Sequence, residues 1–195
     1  MKIIVPDSWK DISISQYQKF IALGDIDNTA KTIEAISILC NLTKSQVKKI
    51  PLKDIDRMYK IVSKLTDEET DNFDLQQFIE IDGEKYGFHP NLSNIQTGEY
   101  ADIEEYMKLD VIENLHNIMS VLYRPVVSET MSKYQIDDYN GDDDIKEKFK
   151  EVKMDVALGM LVFFYNLGSE LQKSSSSYLK ELKMREEILT NINPN

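Results

Sequence analysis

The chain has one cysteine in 195 residues, Cys40, so no internal disulfide can form and nothing suggests a fold built for an oxidising compartment. Cys40 closes an apolar helical face and reads as a small core residue rather than a reactive thiol. Basic charge is also scarce, with 23 Lys and Arg against 34 Asp and Glu and a formal net charge of -11. A role driven by phosphate neutralisation, or by attraction to an anionic membrane, needs the opposite balance. The longest apolar run covers about a dozen residues from 156 to 167 and includes Asn166, where a bilayer span needs about 20. The apolar start of the chain is too short for a signal peptide. No nucleic acid and no membrane are expected among the partners.

Histidine is nearly absent. His89 precedes a proline and His116 sits in an amphipathic helix, and neither has a cysteine or second histidine at zinc-ligand spacing. The seven glycines form no phosphate loop, and there is no Gly-x-Ser-x-Gly elbow. Carboxylates are numerous enough to pair by chance, and none is singled out as a catalytic dyad. The expectation is a protein that binds rather than catalyses, with no catalytic residue, no metal and no cofactor.

At 42% hydrophobic the chain can bury a core, and its length suits one domain spanning residues 1–195. Helical signals dominate. An extended arm over residues 1–12 leads to Ser13 and Gln16, a capping-box pair that opens a first helix, and Thr43 with Gln46 repeats the spacing. Pro51 suits the first turn of another helix, whose stripe is Ile55, Met58, Tyr59, Val62 and Leu65. Val111, Ile112, Leu115, Ile118, Met119, Leu122 and Tyr123 mark a further helix, ended by Arg124-Pro125 because a residue before proline avoids helical geometry. Residues 128–144 read as an acidic loop. A long helix over about 143–172, apolar nearly all round, is expected at the centre of the bundle. An amphipathic helix over 174–195 closes the chain. The exception is a β-hairpin insertion at 76–90, with strands over about 77–88 around Asp82-Gly83, a dipeptide that accepts the positive φ of a tight turn. The expected fold class is therefore mainly α, a single helical domain of six to eight helices with one small hairpin.

Residues 136–147 imitate a calcium loop. Asp138, Asn140, Gly141, Asp144 and Glu147 fall at the template's ligand and glycine positions, but Ile136 occupies the first, where a carboxylate is required. The alternative is a solvated acidic turn ahead of a helix N-terminus, where the dipole favours acids. Three places are candidates for protein contact: Trp9 in the arm, the Asp82-Gly83 turn, and the corner Tyr123, Arg124 and Pro125, since Tyr, Trp and Arg are enriched at binding hot spots. Trp9 either tucks back onto its own helix or docks into a neighbour. Tyr123 and Arg124 either complete the core or anchor an interface.

The order of these signatures resembles proteins encoded among the structural genes of tailed bacteriophages, notably crAss-like phages. The likeness runs through Val5-Pro6-Asp7-Ser8-Trp9, Ile14-Ser15-Gln16-Tyr17, the Asp82-Gly83 hairpin and Thr97-Gly98-Glu99-Tyr100-Ala101-Asp102. It continues in Leu115-His116, Leu122-Tyr123-Arg124-Pro125, Ala157-Leu158-Gly159 and Phe163-Phe164. The resemblance implies a virion component of the head-tail connector or tail region, or a transient tail-assembly chaperone absent from the virion. Its partners would be other phage structural proteins, or further copies in a homo-oligomeric ring, in the virion or in the host cytoplasm during assembly. A reading from the acidic balance alone is a host-directed inhibitor of a nucleic-acid-binding protein.

Overall fold

The computed structural model describes residues 3–66 and 73–169. The first half is helical. After a 3-10 turn at Trp9–Asp11 come α1 (Ile14–Ile21), α2 (Thr29–Leu39), α3 (Lys44–Val47) and α4 (Leu52–Thr66). Both capping boxes form: Ser13 and Gln16 exchange side-chain and backbone hydrogen bonds at the start of α1, as Thr43 and Gln46 do at α3. The second half interleaves strands and helices: β1 (Phe78–Ile81), β2 (Glu84–Phe88), α5 (Thr97–Leu109), α6 (Leu115–Leu122), β3 (Tyr123–Glu129), β4 (Tyr134–Ile136), α7 (Asp143–Phe149) and α8 (154–169).

The mainly-α expectation with one hairpin is corrected here. Among the described residues the fold is mixed, with eight α-helices and a four-stranded antiparallel sheet in the order β1-β2-β3-β4. The Asp82-Gly83 turn is present, with φ of 53° and 78°, and joins β1 to β2. The unexpected part is the second hairpin, β3 and β4, over residues assigned above to a helix end and an acidic loop. The same residue preference produces it. Arg124 precedes a proline and must be extended, which ends α6 and equally starts a strand. Pro125 pairs with Tyr86 of β2 and accepts from the Asp137 N–H through its carbonyl (2.9 Å), beside a register shift between Val126 and Ser128. A proline beside a bulge is tolerated in a sheet because the ladder is already interrupted there.

The expected 143–172 helix is broken as well. α7 stops at Phe149, and α8 begins at residue 154. The backbone between them is occupied by the N-terminal segment: Ile14 N–H donates to the Val152 carbonyl (2.9 Å), Ser15 N–H to Lys150 (2.9 Å), and Met154 N–H to Ile12 (2.9 Å). This strand-like stitch, with Ser13 opposite Lys153, satisfies groups that a continuous helix would have satisfied internally. The 174–195 helix lies outside the described residues.

The main core gathers Ile12, Ile14, Tyr86, Phe88, Leu115, Met119, Leu122, Tyr123, Phe149 and Met154 between the sheet and the helices. A smaller cluster holds α2, α3 and α4 together through Ile36, Val47, Ile55 and Met58. Cys40 packs against it, and burial pushes its thiol up to about 11, which keeps it protonated at neutral pH. Two close approaches shape the second half. The ring of Tyr134 lies over Gly87, where a Cβ would come within 2.7 Å of it, and its hydroxyl donates to the Phe88 carbonyl (2.5 Å). Gly159 of α8 receives the Asp74 carbonyl, whose oxygen is 2.2 Å from where a Cβ would stand.

Candidate functional site

Arg124 is 6% exposed, at the second position of β3, and a buried guanidinium needs a counter-charge. Glu99, in the first turn of α5 and fully buried, supplies it: Oε1 lies 2.5 Å from an Arg124 terminal nitrogen, and Oε2 accepts from the Gln96 N–H (2.5 Å). His89 follows β2 and brings Nε2 to 3.8 Å from Glu99, while Nδ1 accepts from the Asn91 N–H (3.3 Å). Burial, reinforced by Arg124 and opposed by Glu99, holds the His89 pKa below its usual value. Tyr139 from the acidic loop stands beside the guanidinium, 6.0 Å from ring centroid to Cζ, and donates its hydroxyl to Asp102 of α5.

The cluster fastens α5 to the sheet by polar ties. Only Glu99 of α5 is buried, with Ile103 and Tyr106 packed against the core. The crevice above Arg124, between α6, β3 and the 137–142 loop, has a volume of about 20 Å³, room for roughly one water. Arg124 Nε has no hydrogen-bond partner among the described residues, and one water there would satisfy it.

The sequence candidates fall in different places. Tyr123 is fully buried and donates its hydroxyl to the Gln76 carbonyl (2.7 Å), so Tyr123 and Arg124 are consumed inside the fold, with Pro125 half-buried beside them. Trp9 is 6% exposed and meets Tyr17 edge-on at 5.6 Å, so it tucks onto its own first helix. Asp82 and Gly83 are exposed at the tip of the hairpin, whose strand β1 forms one edge of the sheet. The structure brings Tyr123, Arg124 and Pro125 together with the hairpin's strand β2, and leaves Trp9 elsewhere.

The acidic loop uses its side chains locally. Asn140 accepts from the Asp142 N–H (3.0 Å) and Asp142 caps α7 through the Asp144 N–H (2.9 Å). Among the described residues no three His, Cys, Asp or Glu side chains converge to hold a metal ion.

Two features have no counterpart in the sequence reading. One is the buried pair Glu99 and His89 around Arg124, with the half-buried Asp102 holding Tyr139 beside them; the usable signal is the Gln96-to-Glu99 spacing, a helix start with an acid at its third position. The other is an open groove of about 740 Å³ between the N-terminal arm and the α3–α4 corner. Its apolar lining is Ile3, Val5, Ile50, Pro51, Met58 and Ile61, and Lys49 and Arg57 stand on it. Ile4, between two lining residues, is 74% exposed. No helix among the described residues is long and apolar enough to cross a membrane.

No protein-family model matches the chain, and no curated protein or solved structure matches it either.

Proposed function

We propose that the chain is a non-enzymatic structural or assembly protein of a tailed phage, acting by protein–protein contact in the head-tail or tail region of the particle. The observation that carries the contact part is the division of polar and apolar groups. The polar cluster of Glu99, Arg124 and His89 is buried, with only a water-sized crevice beside Arg124, while a groove of about 740 Å³ with a largely apolar lining stands open among the described residues. Apolar surface of that kind is what protein partners cover. The edge strand β1 adds a second route, since an unpaired strand edge accepts a strand from a neighbour. The phage setting comes from the resemblance of the sequence signatures.

Mass spectrometry of purified particles tests the setting, with the chain expected among the virion proteins. Its absence from particles, combined with capture of tail proteins from infected cells, would replace the virion role by that of a transient chaperone. Absence from both, with capture of a host nucleic-acid-binding protein, would replace it by host-directed inhibition.

A further inference from the structure

We propose that Asn140-Gly141, in the loop between β4 and α7, is a site of spontaneous covalent modification, where the folded chain converts its asparagine to aspartate and isoaspartate. The proposal goes beyond the protein-contact reading and depends neither on the partner nor on the phage setting.

The reactive pair comes from the sequence. A glycine after asparagine leaves its nitrogen open to the neighbouring carboxamide, because no Cβ stands in the way. Asn140-Gly141 is the one Asn-Gly in the chain. The Gly141 nitrogen bonds to Asn140 Cγ and gives up its proton to water, while the carbonyl electron pair moves onto Oδ1. When that pair returns, the bond from Cγ to Nδ2 breaks and Nδ2 leaves as ammonia. Water then opens the cyclic imide, giving aspartate, or isoaspartate where the main-chain carbonyl is the one cut.

The geometry comes from the fold. Asn140 is exposed, and its Oδ1 accepts from the Asp142 N–H (3.0 Å). That bond closes a ring containing both reacting atoms, the carboxamide carbon and the Gly141 nitrogen, and so holds them near each other. It also sets a donor on the oxygen that becomes negative during attack, as in an oxyanion hole. The donor is fixed in turn, since Asp142 caps α7 by accepting from the Asp144 N–H (2.9 Å). Asn140 Nδ2 makes no hydrogen bond among the described residues, so nothing retains the leaving group.

The change lies beside a tie already described. Tyr139, the preceding residue, donates its hydroxyl to Asp102 of α5 and stands over Arg124. Isoaspartate routes the backbone through the former side chain and inserts a methylene between Tyr139 and Asp142. With Asp142 anchored on α7, the added length loosens the hold of Tyr139 on α5.

The full chain, incubated at mildly alkaline pH in its native state and in urea, gives the test. Peptide mass spectrometry reads the exchange of the amide –NH2 for –OH at Asn140, and enzymatic methyl transfer reads isoaspartate. Conversion is expected at least as fast in the native chain as in urea. Asp142→Pro removes the N–H while keeping the φ of -61° that proline adopts, and Asp142→Ala loses the cap but keeps the N–H. In the native state Asp142→Pro should convert at least about tenfold more slowly than Asp142→Ala, and in urea the two should be alike. Amide hydrogen exchange in α5 should quicken in the converted chain. Slower conversion of the native parent than in urea overturns the proposal without recourse to any variant. Equal native rates for folded Asp142→Pro and Asp142→Ala overturn the role of the Asp142 N–H, and unchanged exchange in α5 overturns the loosening.

Discussion

Arg124 and Glu99 meet at 2.5 Å where Glu99 is fully and Arg124 almost fully buried, one from an inner strand of the sheet and the other from the first turn of a helix. Each therefore depends on the other for its charge. Glu99→Gln should cost about 3–5 kcal/mol, because it strands a buried guanidinium. Replacing both residues with methionine should cost less than Glu99→Met and Arg124→Met added together. Denaturant unfolding of the four chains measures the coupling; strict additivity would show that the pair does not interact as described.

Trp9 is a core residue. Trp9→Ala should lower the stability of the isolated chain by about 3–5 kcal/mol through the lost burial and the cavity behind it. Thermal unfolding at high dilution reads this directly. Unchanged stability there would return Trp9 to the role of a docking side chain.

Gly159 is required by the crossing of α8 and the chain at Asp74. Gly159→Ala places a methyl 2.2 Å from the Asp74 carbonyl oxygen and should destabilise by about 1–3 kcal/mol. Gly168, with nothing within 4 Å of its added Cβ, is the control: alanine there should be neutral or stabilise by up to about 1 kcal/mol. Chemical denaturation of the two variants separates space from helix propensity.

The two histidines predict a mild acid sensitivity. Burial, aided by Arg124 at His89 and by Lys150 at His116, holds both pKa values below 6.5, against smaller upward pulls from Glu99 and Glu147. The folded state keeps these rings neutral while the unfolded chain takes up protons below 6.5, so stability present at neutral pH is lost as pH falls towards the folded values. The thermal midpoint should drop between about pH 7 and about pH 5.5, above the range where most carboxylates titrate. His116→Gln should flatten that slope; an unaltered slope would assign it to other groups.

Local chemistry was legible in the residues: the capping boxes at Ser13 and Thr43, the Asp82-Gly83 turn and the apolar stripe of α4 are set by neighbours within a few positions. What went unread depends on distant partners. Arg124-Pro125 marks an extended backbone in sequence, and only the presence of β2 opposite turns that into a strand. The break at 150–153 has no proline or glycine to announce it; it exists because Ile12 and Ile14 supply the missing backbone partners from the other end of the described chain. The groove is set in the same way, by bringing Ile3 of the arm against Ile50 and Met58 some fifty residues away.

The stitch between Ile12–Ser15 and residues 150–154 also sets a schedule. Synthesis proceeds from the N-terminus, so α1 leaves the ribosome well before the segment that holds its entry in place. Ile12 and Ile14, among the most buried of the described side chains, have backbone partners that are made only when residues 150–154 have been synthesised. A chain cut short before residue 150 would lack the clasp that holds Ile12–Ser15 in place.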